Sequence, residues 1–457
     1  MQAITPAAEP DTGSRERYRV DLVDLLLSIS EATDLASPLL VSHHRRVSFL
    51  AAAIGRELGL ADEDCRLLAL AGAVHDIGGL SLRDRLESFD FEQNEPDRHA
   101  KPGYLLLALF PPLREAARLV RFHHVDWQQG DGREYRQMEV PELSHVIHLA
   151  DRVAVQIRTG REILVQKEEI RQRIEADRGA MFVPDQVAAF AALSRREAFW
   201  LDLTPPAVDD FLRDRLPLGT VELSEDDLLT LATLFCRLID FRSRFTATHS
   251  RGVAAVVSRL AWKSGQNERQ VARMFMAGLL HDIGKLVVPA EILEKSQALD
   301  VEDFAVIRKH PYFSERILRA TEGFRDIGRW TALHHERLDG SGYPYRLRQD
   351  EIPFPARLLA VADTFTALTE DRPYRCGVSG RSTDDIMRTM AAHGKLDPDL
   401  TDLIHEDMAA VEAIRQEAQR EADLDHRRFL AACCGDRAEE EAFLRPCPVG
   451  PAKPPST

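Results

Sequence analysis

Apolar residues recur every three or four positions through long stretches of the chain, among them VDLVDLLLSISEAT (20–33), DDLLTLATLFCRLIDF (226–241) and GVAAVVSRLAWKSG (252–265). That spacing gives each segment one apolar helical stripe, and no series of short alternating segments with hairpin signals interrupts it. The pattern predicts an all-α protein. Residues 1–17 and the Pro-rich end from 434 to 457 carry no stripe and read as disordered tails. A charged helical stretch over 406–433 is expected to run on beyond the second core, as a solvated or a dimerising helix.

At 457 residues the chain exceeds one ordinary core, so two domains are expected. A net charge of −15 argues against a nucleic-acid polymer or a membrane surface as partner, since their binders carry a basic face. It leaves room for a small phosphorylated ligand held by a few local cations. No apolar run approaches the roughly 18 residues of a membrane span. The N-terminus lacks a basic start followed by an apolar stretch, so a cytoplasmic location is expected. The six cysteines form no CxxC pair, which suits a reducing compartment and provides no thiolate metal site.

The chain repeats itself. SHHRRV (42–47) parallels THSRGV (248–253), and AGAVHDIGG (71–79) parallels AGLLHDIGK (277–285). His99 and His310 follow, then the pairs His123–His124 and His334–His335, then LADRV (149–153) and VADTF (361–365). His43 precedes His75 by 32 residues, as His249 precedes His281; His99 precedes His123 by 24, as His310 precedes His334. The last steps, to Asp151 and Asp363, are 27 and 28 residues. One such coincidence is cheap, but an ordered series is a tandem duplication. Its boundary falls near DRLPLGTVELSED (214–226).

Each half therefore offers histidines and aspartates in one order. A lone histidine on a helix is more often a core or surface residue than a ligand, and an HD dipeptide alone means little. In register, and twice, they read as metal ligands. Imidazole and carboxylate suit divalent first-row metals such as Fe, Mn, Co, Ni or Zn, and the absence of Cys disfavours a structural zinc. Six or more ligands exceed what one tetrahedral ion needs and point to two ions. An Asp between them can bridge, and such a pair acidifies a water and stabilises attacking and leaving oxygens in phosphoryl displacement.

HDIGK (281–285) with HHERLDGSGYP (334–344) resembles the HD-GYP group of the HD phosphohydrolase superfamily, over roughly residues 225–405. The resemblance implies an all-α fold of two tandem HD-type helical domains. It makes 18–213 a degenerate HD domain, 214–226 a linker and 227–405 the catalytic HD-GYP domain. It implies a metal-dependent phosphodiesterase that hydrolyses cyclic di-GMP to linear pGpG, in many members onward to GMP.

On this chain it makes His249, His281, Asp282, His310, His334, His335 and Asp363 the metal ligands, with Asp282 bridging. Lys285 lies beside the scissile phosphate, and Arg372 and Arg375 in EDRPYR grip substrate phosphates, a task the planar guanidinium suits. Iron or manganese is the expected metal. Members with a third ion carry a Glu where this chain has Phe245, which cannot ligate, so two ions are expected. In the turn, Gly340 and Gly342 permit backbone angles or close approaches denied to other residues, and Pro344 stiffens the exit. Gly342 and Tyr343 are expected at the substrate pocket. Two alternatives stand beside this reading. One is a non-catalytic signalling module that binds a cyclic dinucleotide or a partner protein. The other is a phosphohydrolase acting on cyclic GMP-AMP or another nucleotide ester.

The first half keeps a second candidate metal set in His43, His75, Asp76, His99, His123, His124 and Asp151. It departs twice: Gly79 stands where the other half has Lys285, and HHVDWQQGDGREY (123–135) has no Gly-Tyr-Pro turn. Three readings follow: a metal-bearing regulatory or dimerising module, a phosphohydrolase with another substrate, or a structural repeat. Homodimerisation and other signalling proteins are the partners these readings suggest beyond the cyclic dinucleotide.

Overall fold

The computed structural model describes residues 17–34, 42–79, 97–158, 160–205, 207–214, 220–241, 248–293, 295, 297–370, 377–378, 380–445 and 450–451. The protein is all-α: helices carry the core, and two short strand pairs add to them. Among the described residues no helix is long and apolar enough to cross a membrane.

The duplication is visible element by element. In the first half the helix His43–Glu57 packs on Asp62–Val74 and Glu142–Val155; in the second, His249–Lys263 packs on Glu268–Leu280 and Phe354–Thr369. Each half then adds a pair of helices, Ile163–Ala176 with Pro184–Leu193 and Gly380–Ala392 with Pro398–Glu406. A strand opens each repeat, and the two pair with each other antiparallel, Tyr18 against Leu223 and Asp21 against Thr220. Part of the expected linker is therefore ordered: Thr220–Leu223 is strand, and Ser224 caps Glu225–Asp240 by accepting from the Asp227 backbone N–H while Asp227 accepts from Ser224. One apolar cluster joins the halves, holding Leu25 and Leu50 together with Phe235 and Leu279.

The C-terminal segment departs from expectation. Met408–Cys434 runs back over the molecule, packing on His249–Lys263 of the second half and on Asp97–Leu107 of the first. Its inward face buries Val411, Arg415, Ala422, Phe429 and Ala432. The stretch expected as a tail from 434 contains a further helix, Arg437–Phe443. Asp436 caps it by accepting from the backbone N–H of Ala438, and Phe443 stacks near Phe429 at 5.5 Å. Lys101 of the first half fastens it, donating to Gly435 O at 2.7 Å and pairing with Glu440 at 2.7 Å. A weakly patterned apolar face sufficed because helices of both halves cover it.

Candidate metal centres

In the second half the ligand-type residues sit at helix ends, where a bend of the chain aims them inward. His249 opens His249–Lys263, His281 and Asp282 follow Glu268–Leu280, and His310 opens His310–Leu318. His334 and His335 follow Arg325–Ala332, and Asp363 projects from within Phe354–Thr369. Gly284 explains the HDIG sequence: a Cβ there would lie 1.9 Å from His310 O, so only glycine lets the motif reach the third histidine's backbone. Gly78 stands in the same relation to His99 O, at 2.1 Å.

Three groups of ligand atoms result, each within 4.8 Å: His249, His281 and Asp363; His281, Asp282 and His334; and His310, His334 and His335. Asp282 faces both sides, its Oδ2 lying 3.2 Å from His281 Nε2 and its Oδ1 3.3 Å from His310 Nε2. The imidazoles are oriented from behind. The Nδ1 atoms of His281, His310 and His334 bond backbone carbonyls of Gly278, Ile307 and Thr331, and that of His249 bonds Glu370 Oε2 at 3.0 Å. The Nε2 atoms of all four face the cluster, the arrangement that outer partners impose on metal-binding histidines. Among the described residues His281 Nε2 has no hydrogen-bond partner although buried. This donor set fits divalent metal ions of the nitrogen- and oxygen-preferring kind.

The electrostatics agree. Burial pushes His310 down to about 3 and His334 to about 4, so both are neutral donors at pH 7. Burial alone would raise Asp282, but His281 and Lys285 beside it hold its carboxyl well below the usual range. Burial opposes protonation of His249, yet Glu370 and Asp363 flank it and raise it to about 10.

The first half builds the same figure from His43, His75 and Asp151 and from Asp76, His99, His123 and His124. Asp76 again faces both groups, Oδ2 lying 3.4 Å from His75 and Oδ1 2.9 Å from His99. All seven candidates of each half are thus brought together. Of the substrate residues, Lys285 pairs with Asp282 at 2.5 Å, and Tyr343 lies with its ring 4.9 Å from that of His335. The Gly-Tyr-Pro turn uses both expected liberties. Gly340 takes φ 78°, and a Cβ on Gly342 would meet His335 O at 2.6 Å. Arg372, Arg375 and Phe245 lie outside the described residues.

The two centres differ in access. In the first half no ligand side chain exceeds 5% exposure, whereas in the second His335 is 29% and Asp363 13% exposed. Three residues not foreseen from sequence bear on this. Arg152, wholly buried, pairs with Asp151 Oδ2 at 2.5 Å, where the second half has Thr364. Glu336 gathers the Gly-Tyr-Pro turn, its carboxylate accepting from the backbone N–H groups of Tyr345, Arg346 and Leu347 at 2.6, 3.1 and 3.0 Å. Val125 stands in its place in the first half, where the loop instead forms a hairpin, Glu134–Tyr135 with Met138–Glu139. Glu370, the third, lies seven residues beyond Asp363, a spacing that puts both on one helical face and could have revealed it.

Comparison with known proteins follows the same division. Models described as HD domain match residues 40–156 and residues 233–400. A Vibrio cholerae protein, 3′3′-cGAMP-specific phosphodiesterase 1, is 30% identical over 402 residues, covering 85% of this chain and 92% of the relative. The chain belongs to the HD-GYP family of phosphodiesterases. Another HD-GYP relative, the cyclic di-GMP phosphodiesterase response regulator RpfG of Xanthomonas campestris, is 37% identical over 166 residues, 36% of this chain and 44% of that one. A crystal structure of a cyclic GMP-AMP-specific phosphodiesterase of V. cholerae superposes with a TM-score of 0.58 at 22% identity, covering 87% of this chain and 98% of that one. That likeness bears on the fold. As an HD-GYP protein the chain is a metal-dependent HD phosphodiesterase.

Proposed function

We propose that this chain hydrolyses a cyclic dinucleotide at the second-half centre, with 3′3′-cGAMP as substrate. The observation that carries the reaction is the open cluster of His249, His281, Asp282, His310, His334, His335 and Asp363, with Lys285 on Asp282. The substrate rests on the relative specific for 3′3′-cGAMP, whose 402-residue match takes in both halves of the chain. A second reading, cyclic di-GMP, rests on shorter matches, at 37% and 38% identity, to phosphodiesterases of that nucleotide.

Two divalent ions held by these ligands would supply Lewis acidity at the phosphate and lower the pKa of a water to make the nucleophile. Asp282, kept ionised by His281 and Lys285, offers one oxygen to each side of the cluster and so fixes both sides relative to each other. Lys285, partly exposed at the cluster's edge, offers an ammonium to the phosphate oxygens as charge builds there and the 3′-oxygen leaves. Backbone bonds from Gly278, Ile307 and Thr331 hold the imidazoles in the donor tautomer. Arg372 and Arg375 are assigned to the substrate phosphates by their place in EDRPYR.

The first-half centre we assign to metal holding without turnover. It has the ligand atoms, but Gly79 stands at the sequence position of Lys285, and its ligands are closed to solvent. Purified protein, stripped and reloaded with Mn or Fe, should linearise 3′3′-cGAMP, with the product identified by mass spectrometry. Loaded protein that cleaves cyclic di-GMP but not 3′3′-cGAMP would establish the second reading, and one that cleaves neither would remove both.

A further inference from the structure

The helix Val301–Ile307 stands beside the second centre and contributes no buried residue to the core. It is nevertheless firmly set. Asp300 and Asp303 form a capping box at its start, and Lys295 pairs with both carboxylates. Phe304 and Arg308 lie one turn apart, Arg308 N donating to Phe304 O at 3.0 Å, so they share a face. That face meets the Gly-Tyr-Pro turn. The Arg308 guanidinium lies 4.6 Å from the centre of the Tyr343 ring and 5.9 Å from that of Phe304, and the two rings are 6.5 Å apart. Tyr343 in turn lies 4.9 Å from His335, the exposed edge of the ligand cluster.

A line of π and cationic groups thus leads outward from the candidate metals: His335, Tyr343, Arg308, Phe304. Phe304 is 48% exposed while Val306 and Ile307 of the same helix pack partly buried against the core, so its ring is turned away from that packing and toward Arg308 and Tyr343. We propose that Phe304 and Arg308, with Tyr343, form a stacking platform for a purine base of the substrate, a proposal that rests on the cyclic-dinucleotide reading above. The chemistry matches on each count. A purine offers a flat π face to Phe304, the guanidinium stacks on rings while keeping its charge for a nearby phosphate, and the ring sequence begins at the ligand whose side chain is open. Stacking of this kind accepts guanine or adenine alike and holds the nucleotide without selecting between them.

The test compares two substrates on the metal-loaded full chain: the cyclic dinucleotide, and methyl p-nitrophenyl phosphate, a diester without a nucleobase. Phe304→Ala is expected to lower kcat/KM for the cyclic dinucleotide roughly tenfold more than for the small diester, chiefly through KM. Phe304→Trp is expected to restore it and Phe304→Leu not. Arg308→Ala should act in the same direction. Equal losses on both substrates, or recovery by Leu as full as by Trp, would overturn the platform. Wild-type protein that cleaves the small diester but no cyclic dinucleotide would overturn the proposed function and the platform with it, an outcome distinct from selective survival of the Phe304→Ala enzyme.

Discussion

The two halves gather the same seven ligand-type residues in the same order and treat them in opposite ways. In the second half Asp363 and His335 open toward solvent, Lys285 stands on Asp282, and a turn gathered by Glu336 carries Tyr343 to the rim. In the first, Asp151 is paired with the buried guanidinium of Arg152, Gly79 stands at the sequence position of Lys285, and the hairpin loop is tied down, Trp127 and Gln129 donating to Met181 O and Gly179 O. On the function proposed above, ligand geometry alone does not make an enzyme of an HD domain. A path for substrate and a cation beside the phosphate are then what separate the centre proposed to turn over from the one proposed to hold an ion.

The largest effect should come from the aspartates that face both sides of each cluster, Asp282 and Asp76. Asp282→Asn removes a carboxylate facing both sides of the open cluster and should lower turnover about a thousandfold. Asp76→Asn should instead lower the bound metal per chain, read by elemental analysis, with a far smaller loss of turnover. Comparable activity losses for the two variants would end the division of labour.

Next comes Arg152. Removing one partner of a buried pair leaves the other charge poorly compensated, here with only His43 and His75 facing Asp151, so Arg152→Met should destabilise metal-free protein by about 3 kcal/mol in urea unfolding. Added Mn should recover part of that loss by taking over the charge of Asp151. A loss that metal leaves untouched would mean that the first centre holds none. Lys285→Ala should then cost about a hundredfold in kcat, the scale for one group serving developing charge, with Lys285→Arg recovering a part.

Much of this was legible in the sequence for a physical reason. Helical stripes and ligand spacings are one-dimensional signals, so the all-α fold, the duplication and the ligand figures of both halves followed from them. What closes or opens a centre is not one-dimensional. Arg152 follows Asp151 on a helix and reads as an ordinary surface charge until its burial is seen. Glu336 looks like any acid in a mixed-charge turn. The inward face of Met408–Cys434 was obscured by charges because the helices that cover it, His249–Lys263 and Asp97–Leu107, are remote in sequence.

A pH effect sharpens the contrast at smaller scale. Burial raises Asp240, on the helix preceding His249, to about 7, although Ser250 and Cys236 bond it. Its folded pKa exceeds the unfolded one, so the folded state holds the proton more tightly. That contribution is full at low pH, declines as pH rises from about 4 through 7, and is lost above. Asp240→Asn should remove the decline, narrowing the stability difference between pH 5 and pH 8 by on the order of 2 kcal/mol in urea unfolding. An unchanged difference would show that Asp240 ionises freely.

The smallest expected effect probes whether the C-terminal helix serves the open centre alone. Gln419 donates to Glu370 Oε2 at 3.3 Å, the oxygen that also bonds His249 Nδ1, and Arg415 bonds Gln419 from behind. Gly252 leaves the room this requires, since a Cβ there would stand 2.9 Å from Gln419 Nε2. Residues of Met408–Cys434 thus orient an imidazole from outside the matched domain, 233–400. Gln419→Ala should weaken Mn binding at the second centre about tenfold, the lower end of what outer partners of metal-binding histidines contribute. It should leave Mn binding at the first centre unchanged, because the bonds from Gln419 through Glu370 end at His249. Titration of metal-free protein, followed by the paramagnetic resonance of Mn, separates the two classes of ion. Equal weakening of both would mean that the helix braces the whole molecule rather than one histidine.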